Sequence, residues 1–263
     1  MLDHMTSFFV SGFIYPGLSW SQALFGIGIS IVFGSLWFTP FWTSILKKPW
    51  AWVIMITSII LTWTSVAFIQ IPLQFWSGQA LGYFWTQDVI MNWILLAGIP
   101  QILLSGLVQE GGKLLPIIFY WWRNDKEISP QMGLAIGVIA GLGFGVFEAI
   151  WVHNRTFAAG WNWEAVQAGG FLAFTPFWER LSAVALHIGA SALAGYGLAK
   201  GWGWQFYLLA AFLHSLINYS AVLSVAGLFT IVHVEIYVSI VAILVISGAL
   251  WLRWRRNYDE TPV

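Results

Sequence analysis

The sequence predicts an all-α protein: a polytopic transmembrane bundle of about seven spans, N-terminus outside and C-terminus in the cytoplasm. Three observations predict it. First, 59% of the 263 residues are hydrophobic and 8% are charged, against roughly 25% charged in a soluble domain, and mean hydropathy is +0.77. A soluble fold of this size could not cover itself with 11 acidic and 11 basic side chains. Second, apolar runs long enough to cross a hydrocarbon core, about 20 residues, recur along the chain. Third, the basic residues between those runs alternate. Composition also excludes several classes. A net charge of zero leaves no basic footprint for nucleic acid. The absence of cysteine excludes disulfides, thiolate zinc sites, iron–sulfur clusters and cysteine nucleophiles. The 19 Trp and 8 Tyr residues suit bilayer interfaces, where an apolar ring with one polar tip is stable.

The seven expected spans cover residues 17–45, 51–71, 89–122, 132–152, 178–199, 204–228 and 232–252. The third is too long for one crossing and too short for two. Pro100 divides it into an outer lead-in, interfacial or re-entrant, and a crossing over 100–122, because proline removes a helical donor and clashes with the preceding turn. Lys47 and Lys48, Arg123 and Lys126, Lys200, and Arg253, Arg255 and Arg256 fall in alternate loops; the intervening loops carry only Arg155. The positive-inside rule turns this alternation into the stated orientation. The N-terminal segment has Asp3 and no basic run, so no cleavable signal peptide is expected. Segments 72–88 and 153–177 are Trp-rich and nearly uncharged, and are expected to lie against the membrane surface. The chain reads as one transmembrane domain over 1–263 with a motif-bearing core over 100–228. Its compact layout and lack of targeting signals point to a prokaryotic inner membrane.

Small residues predict the packing. Gly133, Gly137, Gly141 and Gly145 recur every four residues and continue to Ala149, so they share one helix face. Lipid offers no hydrophobic drive for helix association; close backbone approach supplies it, which makes span four central. Gly26, Ser30 and Gly34 form a shorter stripe on span one.

Ionisable groups inside a bilayer cost about 2.5 kcal/mol or more to insert, and here they concentrate in spans three to six: Glu110, Lys113, Glu148, Arg180, His187 and His214, with the polar Asn218. At a helical rise of 1.5 Å per residue, Glu110, His187 and His214 lie about 18, 12 and 15 Å from their span ends. All three are therefore near the midplane of a core about 30 Å thick. Simpler roles stand beside a functional one. His214 and Asn218, four apart on one face, suit interhelical hydrogen bonding; Glu148 and Arg180 suit a buried ion pair; Lys113 suits a counter-ion for Glu110; Ser191 suits orienting His187. His153 and His233 are expected at the interface, Glu235 in solvent, and Glu179 at the outer mouth of span five. A midplane carboxylate suits general-base work, and two imidazoles with a carboxylate can hold zinc with a fourth position open to water. Either arrangement activates water against a peptide carbonyl, with Asn218 or an imidazolium stabilising the oxyanion. Ser–His–Asp chemistry is poorly supported, since Asp3, Asp88, Asp125 and Asp259 all lie outside the span centres.

Gln109-Glu110-Gly111-Gly112-Lys113 resembles the Glu-Glu-x-x-Lys/Arg motif of the PrsW and YhfC families of intramembrane proteases. Gly143-Phe144-Gly145-Val146-Phe147-Glu148 resembles their Gly-Phe-Gly run ending in Glu, and Glu179-Arg180 followed by His187 resembles the third motif. His214-Ser215-Leu216-Ile217-Asn218 matches the closing His-x-x-x-Asn/Asp. The four motifs fall in order over 107–218. The wider superfamily includes the CAAX prenyl endopeptidases, and the seven-span layout is also similar to the noncatalytic APH-type subunit of gamma-secretase. The resemblance implies an intramembrane endopeptidase of metallo- or glutamic type with Glu110, Glu148, His187, His214 and Asn218 as site residues. Its implied substrate is a membrane-protein or lipid-anchored segment entering from the bilayer; zinc, if used, would sit on Glu110, His187 and His214. One departure is that Gln109 replaces the first acid of the pair, so Glu110 must carry its role or the chain is a noncatalytic scaffold. An ion-coupled transporter is a third reading, since buried Glu and His chains form proton relays; it lacks the paired broken helices and internal repeat of such folds.

Overall fold

The computed structural model describes residues 1–41 and 43–255. Arg256, the last of the C-terminal arginines, lies outside the described residues. These residues form helices α1 (Leu2–Ser11), α2 (Trp20–Phe38), α3 (Pro49–Ser65), α4 (Ile71–Phe84), α5 (Gln87–Asn92), α6 (Ile94–Ala97), α7 (Ile99–Arg123), α8 (Pro130–Ala158), α9 (Trp163–Gly169), α10 (Thr175–Ala199), α11 (Gly203–Val225) and α12 (Ile231–Trp254). No strand occurs among the described residues. Among the described residues, seven helical stretches are long and apolar enough to cross a membrane, one for each expected span. The chain is an integral membrane protein of the all-α class.

Local chemistry sets several boundaries. Ser19 and Gln22 form a capping box that starts α2, and the helix stops just ahead of Thr39-Pro40. Span two does not end near residue 71. A π-helical turn over Val66–Gln70 joins α3 to α4 into one stretch, Pro49–Phe84, in which Ile71 N–H reaches the Val66 carbonyl. Pro72 has no N–H to give the preceding turn, and the helix widens by one residue instead of breaking. Segment 72–88 is therefore mostly a helical extension of span two. The lead-in to span three becomes the short helices α5 and α6, and the crossing begins at Ile99, with Pro100 in its first turn as its missing donor allows. Helix α1 was not legible as an element. It is held by its aromatic residues: Phe8 stacks on Trp63 at 4.6 Å, and Trp63 Nε1 donates to the Phe9 carbonyl at 2.9 Å.

Helix α8 is the central helix, as its glycines predict; most of its span is buried. It packs along α10 and is flanked by α2 and α3, while α7 packs on α3 and α11, and α10 also meets α11 and α12. Around this core, apolar side chains such as Leu24 and Leu36 on α2 and Ile243 and Leu244 on α12 remain exposed, as a lipid-facing surface requires. The stripe on α8 faces α10: Gly133 abuts Gly195, Gly137 abuts Ser191, and Gly141 and Gly145 abut His187. A methyl group at Gly141 would lie 2.7 Å from the His187 carbonyl carbon and 2.8 Å from Ile188 Cα, closer than any backbone contact tolerates. The stripe on α2 packs on α8 in the same manner, with Ser30 Oγ 2.9 Å from His153 Nδ1. His153, near the end of its span, is fully buried and stacked on Phe177 of α10 at 5.0 Å. Replacing Gly141 with Val is expected to lower stability by about 1–3 kcal/mol by overpacking and to displace His187. Thermal melting in detergent, beside cleavage assays, would read both effects; an unshifted melting temperature would count against the close α8–α10 approach.

Candidate active site

Glycines let four helices approach closely in two pairs around the site. Gly106 lets α7 approach Ala211 and Ser215 of α11, which flank His214. Gly141 and Gly145 let α8 lie against the α10 backbone at His187. Glu110, on α7, is one turn beyond Gly106 and therefore faces both imidazoles.

Glu110 is 2% exposed. Its Oε1 accepts from Lys113 Nζ at 2.6 Å and from His214 Nδ1 at 2.7 Å. Lys113 Nζ, 1% exposed, also donates to His187 Nδ1 at 2.9 Å. With Nδ1 accepting, the His187 proton sits on Nε2, which donates to Glu148 Oε2 at 3.0 Å. Glu148 Oε2 is in turn 2.8 Å from Arg180 Nη1, and Arg180 also pairs with Glu179. The two imidazole rings meet edge to face at 5.2 Å, and Phe144 closes the other side of His187 at 5.3 Å. A continuous chain of acidic and basic groups therefore runs Glu110, Lys113, His187, Glu148, Arg180, Glu179. In a low-dielectric interior each charge needs its neighbour.

Of the expected site residues, Glu110, His187 and His214 converge, and Glu148 joins them through His187. Lys113 is the Glu110 counter-ion, as its spacing suggests, and also stands between Glu110 and His187. Asn218 is one turn from His214 but does not touch the cluster; its Nδ2 donates to Ser105 Oγ at 3.0 Å. Ser191 does not orient His187: its hydroxyl is buried without a hydrogen-bond partner. Glu235 is 2% exposed rather than solvated, because α10 and α11 pack over the first turns of α12.

Gln109 points elsewhere. Adjacent helical residues diverge by about 100°, and Gln109 Nε2 donates to Gln70 Oε1 at 3.2 Å and Ser105 Oγ at 3.3 Å. Position 109 thus belongs to a polar strip of Gln70, Ser105 and Asn218 beside the cluster. The acid facing the imidazoles is at position 110, and this chain retains it. The strip was missed by sequence reasoning, although Gln70, a polar residue inside an apolar run, was its visible signal.

One ligand atom from each of Glu110, His187 and His214 lies within 4.8 Å of the others. Two imidazoles and a carboxylate are the protein ligands of an open catalytic zinc site, and Glu148 on the far nitrogen of His187 is the outer carboxylate that fixes a ligating tautomer. The donor set fits a divalent metal. Lys113 Nζ contacts two of the three ligands and is the cation such a metal would displace.

Fold and site together define a class: a polytopic membrane protein with a buried Glu/His/His group able to hold a metal ion. A model of the PrsW family of intramembrane metalloproteases matches residues 47–247, well over half of the 263 residues. The chain belongs to the PrsW family, whose metalloprotease character implies a metal and membrane-protein substrates. No curated protein and no solved structure matches it.

Proposed function

We propose that this protein is an intramembrane endopeptidase that hydrolyses a peptide bond in a transmembrane or membrane-associated segment. The observation that carries the reading is the convergence of Glu110, His187 and His214 from three helices in a dry interior. Glu110 serves as the general base, taking a proton from the attacking water and returning it to the leaving amine. Glu148 holds His187 in the tautomer that turns Nδ1 toward the reacting centre. Asn218, its side chain at the rim of the cluster, donates to the carbonyl oxygen as negative charge develops there. Zinc is the metal this donor set suits, and would sit on Glu110, His187 and His214 with Glu110 then acting as ligand in place of free base; such an ion would polarise water and carbonyl alike. The substrate must unwind locally, because helical peptide groups are already paired.

The motif order also supports kinship with the YhfC and CAAX-endopeptidase group and a single domain over 1–263 with its core at 100–228; the alternating loop charges support an N-terminus outside, and the compact layout without targeting signals supports a prokaryotic inner-membrane setting. A scaffold reading rests on Gln109, whose contacts with Gln70 and Ser105 lie apart from the imidazoles.

In proteoliposomes with a library of fluorogenic transmembrane segments, Ala at Glu110, His187 or His214 is expected to abolish cleavage while Ala at Ser191 leaves it intact. Unchanged cleavage in all three site variants would end the protease reading.

A further inference from the structure

A cavity of about 540 Å³ opens between α7, α10, α11 and α12, within the size range of ligand pockets. Ser105 and Asn218 line it on the side of the catalytic cluster; Glu179 and Glu235 line it as well. Glu235 sits in the second turn of α12 and is 2% exposed, yet one of its carboxylate oxygens is buried with no hydrogen-bond partner. Its carboxylate makes no ion pair among the described residues. No lysine or arginine lines the cavity, and Arg180, which follows Glu179 on α10, is already committed to Glu148 and Glu179. Two carboxylates already share that guanidinium, and Glu235 in the cavity wall is left unanswered. Burying such a group without a partner is costly, and ionisable groups kept inside spans by default mark sites of function.

We propose that this cavity is a substrate subsite that recognises a basic side chain, a lysine ammonium or arginine guanidinium, which completes Glu235 and Glu179. A segment anchored there would run past Asn218, which leads to the Glu110–His214 pair one helical turn away. The proposal rests on the protease reading for the direction of the bound segment; the recognition itself is a binding property and is tested as one.

The test uses full-length protein in nanodiscs and fluorescent synthetic peptides of about 20 Leu and Ala residues carrying one Lys, Gln or Glu, with its position scanned along the peptide. Binding is read by anisotropy for the wild type, Glu235→Gln and Glu110→Gln. At one or two adjacent positions Lys should bind about tenfold more tightly than Gln, as expected for a charge-assisted contact, with Glu weakest. Glu235→Gln should reduce that preference below about threefold, and Glu110→Gln should keep it. Equal binding of Lys and Gln peptides by the wild type at every position would overturn the subsite, whether or not Glu235→Gln folds. So would a preference that survives in a folded Glu235→Gln protein. Preference without cleavage of any peptide would count against the protease reading and leave the subsite standing; cleavage without preference would do the reverse.

Discussion

Lys113→Met is expected to bind zinc at least about tenfold more tightly than the wild type and to melt at a markedly lower temperature in chelator. Lys113 Nζ lies 2.6 Å from Glu110 Oε1 and 2.9 Å from His187 Nδ1, so it uses the lone pairs a metal would need. A divalent cation entering beside the ammonium would add two positive charges where Glu110 and Lys113 already neutralise each other. Removing the ammonium relieves that competition. It also strands the Glu110 carboxylate, and breaking a buried pair by deleting one partner costs about 3–5 kcal/mol. Methionine matches the lysine stem in length and removes the charge, together with the ammonium's contact 5.9 Å from the Phe144 ring centroid. Zinc at about 100 times its Kd should restore roughly 2.7 kcal/mol, so the melting difference between wild type and variant should shrink on metal addition. Calorimetric titration and melting curves with and without chelator measure both effects. Equal zinc affinity and equal melting in chelator would show that the ammonium is not the resident cation; weaker affinity would make Lys113 a support for the metal.

Glu110→Gln is expected to reduce cleavage by about 100- to 10,000-fold, the range for losing a positioned general base, and to destabilise the fold by leaving Lys113 buried without its carboxylate. These two consequences separate in the double variant. Glu110→Gln with Lys113→Met removes both charges, and replacing both partners of a buried pair by groups of similar shape is close to neutral. The double variant should therefore melt well above either single variant, with a coupling of about 0.5–3 kcal/mol, yet remain inactive. Strict additivity of the two melting losses would deny the pair. Recovered cleavage in the double variant would deny Glu110 its role as base.

Much of the site was legible because depth in a helix is arithmetic. The rise per residue placed Glu110, His187 and His214 at matching depth before any coordinates, and the four-residue glycine spacing marked α8 as central. Lys113 was legible as a counter-ion from its spacing to Glu110. Two other residues are more buried than their positions in the sequence suggest, for a common reason. His153 and Glu235 lie near helix ends, where sequence reads as solvent, but neighbouring elements cover them: Phe177 over His153, and α10 and α11 over the start of α12. The continuity of α3 with α4 was hidden because Pro72 reads as a stop, and a π turn is a local compromise that packing, not propensity, selects. Gln109 and Glu110 are neighbours in sequence; their division between two polar pockets depends on how α7 is rotated about its own axis.

Membrane residence, the number of spans and the identity of the intramembrane ionisable groups followed from the chain alone. In lipid each span must satisfy its backbone internally, so its length and apolar content are local properties. Which of those groups meet was decided by the tertiary structure. Lipid does not distinguish one face of a helix from another, and rotation and partner are set by where glycines allow two backbones to touch. Gly141 against His187, and Gly106 against the turn that carries His214, are the contacts that turn scattered polar residues into one centre.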